Sequence, residues 1–135
     1  MVDQLTLEVA VPERRLVNEK VDEVQAPAAT GYLGVLPNHA PLMTQLQVGV
    51  LSFRSAGKSR FMAIDGGVME VLPDHVRVLA DGAQWGEEVN VAEMTKAKAD
   101  ATKRLQDRPE GIDFDRENAL LAHAQARLDA HSRTT

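Results

Sequence analysis

Leu5, Leu7, Val9 and Val11 alternate with Gln4, Thr6, Glu8 and Ala10, a period of two that predicts a half-buried strand ended by Pro12. Glu13-Arg14-Arg15 forms a polar turn into Leu16-Val17. Val21 and Val24 flank Asp22-Glu23 in a short strand expected to stop at Ala26-Pro27. Met43 to Leu51 extends the apolar pattern, with Gly49 expected at a bend or bulge. Leu51-Ser52-Phe53 and Phe61 to Ile64 bracket a β-hairpin with a basic tip around Ala56-Gly57-Lys58. Asp65-Gly66-Gly67 is expected as a second turn, before a strand over Val68 to Leu72. Pro73-Asp74-His75 is expected as a third, before Val76, Val78 and Ala80 alternate with Arg77 and Leu79. Turn signals at this spacing predict a mostly β domain, an antiparallel sandwich or flattened barrel.

The pattern changes after Trp85-Gly86-Glu87-Glu88, where β-branched residues thin out and Ala, Lys, Glu, Asp and Arg take over. Asn90 stands at an N-cap position with Glu93 three residues on, a capping-box spacing. The helix it opens carries Met94, Ala97, Ala101 and Leu105 on one face, and Arg108-Pro109-Glu110-Gly111 ends it. Asp113 caps a second helix to about His131, with Phe114, Leu121, Ala124 and Leu128 on one stripe. The chain is therefore expected to divide into a β domain over 1–86 and an antiparallel α-helical hairpin over 87–135. A large aliphatic side chain contributes roughly 1.5–3 kcal/mol on burial, and a contact face made mostly of alanine supplies little of that. The hairpin is expected to depend on docking to the β domain and to be able to leave it.

Between the two halves of the sheet pattern lies a denser stretch, Gly31-Tyr32-Leu33-Gly34-Val35-Leu36-Pro37-Asn38-His39-Ala40-Pro41-Leu42. Pro37 and Pro41 each fix φ and withhold a donor, so the segment is either a ligand loop around His39 or a stiff corner that presents an edge to another protein. Only 4% of residues are aromatic, so the core must be aliphatic. The net charge of −5 argues against nucleic-acid binding, which needs clustered cations. The charge is uneven: residues 1–88 hold 12 acids and 7 bases, while residues 89–135 hold 8 of each on solvated helix faces. The absence of cysteine removes disulfides, thiolate metal sites and thiol catalysis. No run reaches the roughly 20 apolar residues that span a bilayer, and no signal-peptide pattern opens the chain. A soluble chain that reaches a membrane only through partners is expected.

His39, His75, His123 and His131 lack ligand spacing. Asp65-Gly66-Gly67 reads as turn chemistry and not a phosphate loop, because no Lys or Ser follows and no helix opens there. Glu87-Glu88 and the Asp113/Asp115 pair suit helix starts, and no serine sits in a glycine elbow. No catalytic set, metal site or cofactor site emerges, and an enzyme is the least supported class. Two others stand: an interaction subunit, and a small β-sandwich regulatory or ligand-binding domain with a helical tail.

Leu5-Thr6-Leu7-Glu8-Val9-Ala10-Val11-Pro12-Glu13-Arg14, Val21-Asp22-Glu23-Val24, the Gly31–Leu42 stretch with its Pro-x-His-Ala-Pro-Leu block, Ala63-Ile64-Asp65-Gly66-Gly67 and Val76-Arg77-Val78-Leu79-Ala80-Asp81 together resemble the epsilon subunit of bacterial F-type ATP synthases, called delta in mitochondria. The resemblance covers essentially the whole chain. Asn38 replaces the family's usual Gly, a change that a residue tolerant of positive φ should accommodate. The resemblance implies a sandwich of about ten strands followed by a helical hairpin. It implies a non-catalytic rotor subunit of the central stalk, on the cytoplasmic face of the bacterial plasma membrane, that binds the gamma subunit and the c-subunit ring of a proton-translocating enzyme. It implies that the hairpin can extend into the alpha/beta catalytic head and block ATP hydrolysis, where Lys96, Lys98, Lys103, Arg104, Arg116 and Arg127 would face acidic surface. Tyr32, Leu33, His39 and Pro41 fall on the segment that relatives direct toward the c ring. Some relatives bind ATP in the docked hairpin, through an Asp and four arginines. The Asp position falls on Asn90, the first-helix arginines on Glu93 and Asp100, and the second-helix pair on His123 and Arg127. Only Arg127 keeps the cation, so no ATP site is expected.

Overall fold

The computed structural model describes residues 1–134, and among them eight strands precede two helices. The strands are β1 (Leu5–Val11), β2 (Arg14–Val21), β3 (Glu23–Ala28), β4 (Gly31–Val35), β5 (Leu42–Ser55), β6 (Lys58–Leu72), β7 (His75–Ala80) and β8 (Ala83–Trp85). They hydrogen-bond in the order β2-β1-β7-β6-β5-β3-β4, with β8 on β6. All these pairings are antiparallel except β1 with β7, which is parallel. Eight strands do the work of the expected ten because β5 and β6 belong to both layers of the sandwich. The first half of β5 and second half of β6 join β7, β1 and β2. The other halves join β3, β4 and β8.

The passage between layers happens at Asp65-Gly66-Gly67. This is no chain-reversing turn: β6 runs through it, and the pairing with β5 keeps its register, with Leu46 opposite Gly67 and Val48 opposite Asp65. Gly66 and Gly67 have φ of 98° and 140°, a region open to glycine and strained for other residues. A Cβ on Gly67 would run into the Leu79 carbonyl of β7. Gly49, expected to bend β5, instead lets Pro27 and the Tyr32 hydroxyl approach the strand. Asp22 also departs from expectation. Its N–H donates to the Arg54 carbonyl at 2.7 Å, and the chain bends there, so β2 ends at Val21 and β3 begins at Glu23.

Inward positions of both layers meet in an aliphatic core: Leu5, Leu7 and Val9 of β1, Leu51 of β5, Met62, Ile64, Met69 and Val71 of β6, and Val76 and Val78 of β7 are fully or almost fully buried. The hairpin tip forms at Ala56 and Gly57, both with positive φ. After a 3₁₀ turn at Gly86–Glu88, α1 (Val91–Asp107) starts with the Asn90 side chain accepting from the Glu93 N–H at 3.0 Å. It ends at Arg108 in the left-handed conformation. α2 (Phe114–Thr134) starts with the Asp113 carboxylate accepting from the Arg116 N–H at 3.1 Å.

The helix faces differ from the expected stripes. Phe114 is exposed, Leu121 and Leu128 are half-buried, and Ala101 and Ala124 are fully buried. The face of α2 that meets the sandwich carries Ala126 and Ala130, which pack on Val50 and Ala63, with Phe61 beside them. α2 therefore lies across the outer face of β5, β6 and β8, and α1 rests on α2. Gly67→Ala is expected to cost about 2–5 kcal/mol, from positive-φ strain plus the clash with the Leu79 carbonyl. Urea unfolding of the full chain measures this, and a variant as stable as the parent would contradict it.

Candidate functional site

Two regions carry features beyond a stable core: the joint between α2 and the sandwich, and the sandwich surface left open on the opposite layer. At the joint, Arg127 is only 5% exposed. Its guanidinium forks onto the Asp65 carboxylate, Nη1 donating to Oδ1 at 2.7 Å and Nη2 to Oδ2 at 2.8 Å. Nε donates to Gln84 Oε1 at 3.1 Å, and His123 Nδ1 lies 3.1 Å from Asp65 Oδ1. Asp65 occupies this spot because β6 alternates: Ala63 faces α2, and two residues on Asp65 faces it as well. A planar fork matches a carboxylate bidentately, and burial makes that geometry matter. Burial raises the Asp65 pKa, but the hydrogen bonds and charge of Arg127, with a smaller contribution from His123, outweigh it and hold the carboxyl below its ordinary 3.8.

A second ion pair lies inside the hairpin. Arg104 Nε of α1 donates to Glu117 Oε2 of α2 at 2.6 Å, and Glu117 is 6% exposed. Lower down the joint, His131 Nδ1 lies 3.0 Å from the Gly86 carbonyl. Arg133 sits over the Phe61 ring and Arg60 over the Trp85 ring, 4.7 and 3.7 Å from the centroids. Of the positions laid on the ATP pattern, only His123 and Arg127 meet, at Asp65. Asn90 caps α1, Glu93 is exposed, and Asp100 pairs with Lys96 at 2.8 Å. Arg127, expected as a solitary cation, is thus bound to a carboxylate that reads in the sequence as turn chemistry alone.

The four residues singled out near the proline-rich stretch take different positions. Tyr32 is 61% exposed, and its hydroxyl accepts from the Val50 N–H at 3.0 Å. Leu33 points the other way and packs against the core. His39 and Pro41 lie in the turn between β4 and β5, where the His39 Nδ1 is 2.6 Å from the Ala40 carbonyl. Three hydrogen bonds to two other segments brace that turn. The Asn38 N–H donates to the Pro73 carbonyl at 2.7 Å, and the Asn38 amide exchanges two 3.0 Å hydrogen bonds with the Val2 backbone. Asn38 adopts the positive φ, 70°, that the Gly-to-Asn change requires.

Sequence reasoning missed the flat outer face of the other layer. Val68 stands opposite Leu79 across β6 and β7, and with Met43 they form an apolar patch, Leu79 and Met43 being 57% and 67% exposed. Beside it a row of charges crosses the sheet: Glu70, Arg77 and Glu8, with Arg77 Nε 3.2 Å from Glu8 Oε2. Leu42 and Leu72 extend the apolar surface to the end that carries the Pro41 turn, and Leu36, where that turn begins, is exposed as well. The signal existed in β7, where Leu79 breaks the polar face of a strict alternation.

The domain family described as "ATP synthase, Delta/Epsilon chain, beta-sandwich domain" matches residues 4–86. The chain is 49% identical over 129 residues to the ATP synthase epsilon chain of Solibacter usitatus, covering 95% of this chain and 96% of that one. It is 39% identical over 134 residues to that of Syntrophobacter fumaroxidans, covering 99% and 100%. The chain belongs to the ATP synthase delta/epsilon family. Among solved structures, a chain of the Euglena gracilis mitochondrial ATP synthase shares the fold with a TM-score of 0.85 at 24% identity, over 96% of this chain and 82% of that one. Among the described residues no helix is long and apolar enough to cross a membrane.

For this family member the Asp65 shift has a pH consequence. A carboxyl whose folded pKa lies below its unfolded value contributes stability above the unfolded value and loses it as pH falls through the folded one. The docking of α2 should therefore hold at neutral pH and weaken as pH drops below about 3.9. Hydrogen exchange of α2 amides relative to the sheet, corrected for intrinsic rates, should show the loss in the parent chain and not in Asp65→Asn.

Proposed function

We propose that this delta/epsilon-family chain is the non-catalytic central-stalk subunit of a proton-translocating F-type ATP synthase, linking the gamma subunit to the c-subunit ring. The observation that carries this reading is the open face of the sandwich. A contiguous apolar patch flanked by charged residues marks a protein-binding surface, and Met43, Val68 and Leu79 offer it on the layer away from the hairpin. We assign that face to gamma. The end bearing Leu36, His39, Pro41 and Leu42 we assign to the c ring, with Tyr32 and Leu33 supporting it from β4. Two prolines and the Asn38 clasp stiffen this end, as a part that transmits torque requires. The subunit carries no active site of its own and sits at the cytoplasmic face of the plasma membrane through these partners.

Residues 1–86 form the rotor-binding domain in this reading, and residues 87–135 a regulatory hairpin that extends toward the alpha/beta head and restrains ATP hydrolysis. The joint supports the second half of the proposal. Its apolar part is small, so departure of α2 forfeits little buried area. Reconstitution of the ATP synthase with variant chains tests both halves. Leu79→Asp should lose co-purification with gamma, whereas a chain lacking residues 89–135 should assemble normally and give faster ATP hydrolysis. Normal gamma binding by Leu79→Asp would remove the assigned face, and unchanged hydrolysis would remove the inhibitory role.

The hairpin takes no ATP in this reading. Glu93 and Asp100 put negative charge where a polyphosphate needs cations, and Arg127 is already paired with Asp65. Calorimetry should show no saturable ATP binding, and micromolar affinity would overturn the assignment.

A further inference from the structure

We propose that the Asp65–Arg127 pair is the latch that sets whether the hairpin is docked on the sandwich or released. The proposal rests on the movable hairpin of the preceding reading and names the contact that governs it.

The apolar surfaces in the joint are Ala126 and Ala130 against Val50 and Ala63, with Phe61 partly buried beside them and the Gly86 backbone against Ala130 and Thr134. Short side chains of this kind remove little area from water, so the apolar contribution to docking is weak. They also carry little positional information, because a smooth alanine face can sit on a sheet in more than one register. The fork of Arg127 onto Asp65, with Nε on Gln84, supplies what the alanines lack. Three hydrogen bonds from one planar group pin α2 to β6 and β8 at the buried centre of the joint, with the half-buried His131–Gly86 contact and the exposed Arg133 lying toward its end.

The energetics give the pair its switching character. A guanidinium held in a nearly dry joint is tolerated only while its carboxylate is present, and loss of one partner leaves a buried uncompensated charge. Release of α2 returns Arg127 to water and removes that penalty. An intact pair therefore favours the docked state, and a broken one drives the hairpin away. The plane of separation follows from the other buried pair. Arg104 and Glu117 both belong to the hairpin, so that contact travels with the helices and survives release. His123 adds a third group at Asp65 from the same helix as Arg127, and it leaves with Arg127.

The test is a double-mutant cycle on the full-length chain, read by hydrogen exchange. Asp65→Asn and Arg127→Gln should each raise exchange of α2 amides about tenfold or more, while β1 and β7 amides keep their protection. The double variant should exchange less than the product of the two single effects, because each change removes the other's reason to release. Unchanged α2 exchange in the single variants would overturn the latch, and so would effects that multiply independently. Arg127→Lys retains the charge and loses the fork. It should raise α2 exchange by less than Arg127→Gln, and loss of β1 and β7 protection with Lys as well would show a general folding role and overturn the proposal. The cycle uses the isolated subunit. A truncation that leaves hydrolysis unchanged would therefore remove the inhibitory function without touching this result.

Discussion

Two strands that must serve two layers impose the constraint on which the remaining structure depends. β5 and β6 cross from one sheet to the other without breaking register, and they can do so only because Gly66 and Gly67 take dihedrals that other residues pay strain to reach. The crowding of Gly67 by the Leu79 carbonyl shows how closely β7 follows the bend. Continuity of the backbone through the crossing has a mechanical meaning. Met43 and Val68 of the open face and the hairpin-facing positions Val50 and Ala63 lie on the same pair of strands, so the two faces are joined along covalent chain. The crossing also delivers Asp65 to the outside of the second layer, where Arg127 meets it.

The joint and the sandwich core are stabilised by different physics. The core buries Leu, Ile, Val and Met side chains to completion, a term that is large, non-directional and indifferent to small changes in solution conditions. The joint buries alanines and one fully paired guanidinium. Its apolar part is small and its polar part is directional and conditional on a partner. In the proposed reading, the part held by the aliphatic core persists and the part held by the joint changes state.

Much of this was legible in the sequence. Period-two patterning placed β1 and β7, Asn90 and Asp113 capped the helices where their side chains predicted, and the Arg108-Pro109-Glu110-Gly111 break ended the first helix. The resemblance supplied the family, and the stiff turn at Asn38 was readable from its tolerance of positive φ. Three things were not legible. Asp65-Gly66-Gly67 has the composition of a turn, and only the neighbouring strand shows that the chain bends there instead of reversing. The docking face of α2 runs through Ala126, Arg127 and Ala130, a stripe that a search for large apolar residues passes over. The Asp65–Arg127 contact joins residues 62 apart, and no local pattern encodes a pairing across that distance. Leu79, by contrast, was readable as an apolar residue on a polar face, and only its partner Val68 across the sheet makes it a patch.

The alanine face of α2 has a consequence for the chain with its hairpin released. At about 1.5 Å per residue, the 21 residues of α2 make an arm of roughly 30 Å, already joined to α1 by an ion pair that needs nothing from the sandwich. An arm faced with leucine would expose a strip prone to self-association each time it swung out. One faced with alanine and the arginines Arg127 and Arg133 enters water as a solubilised surface, and can wait there for a partner without aggregating.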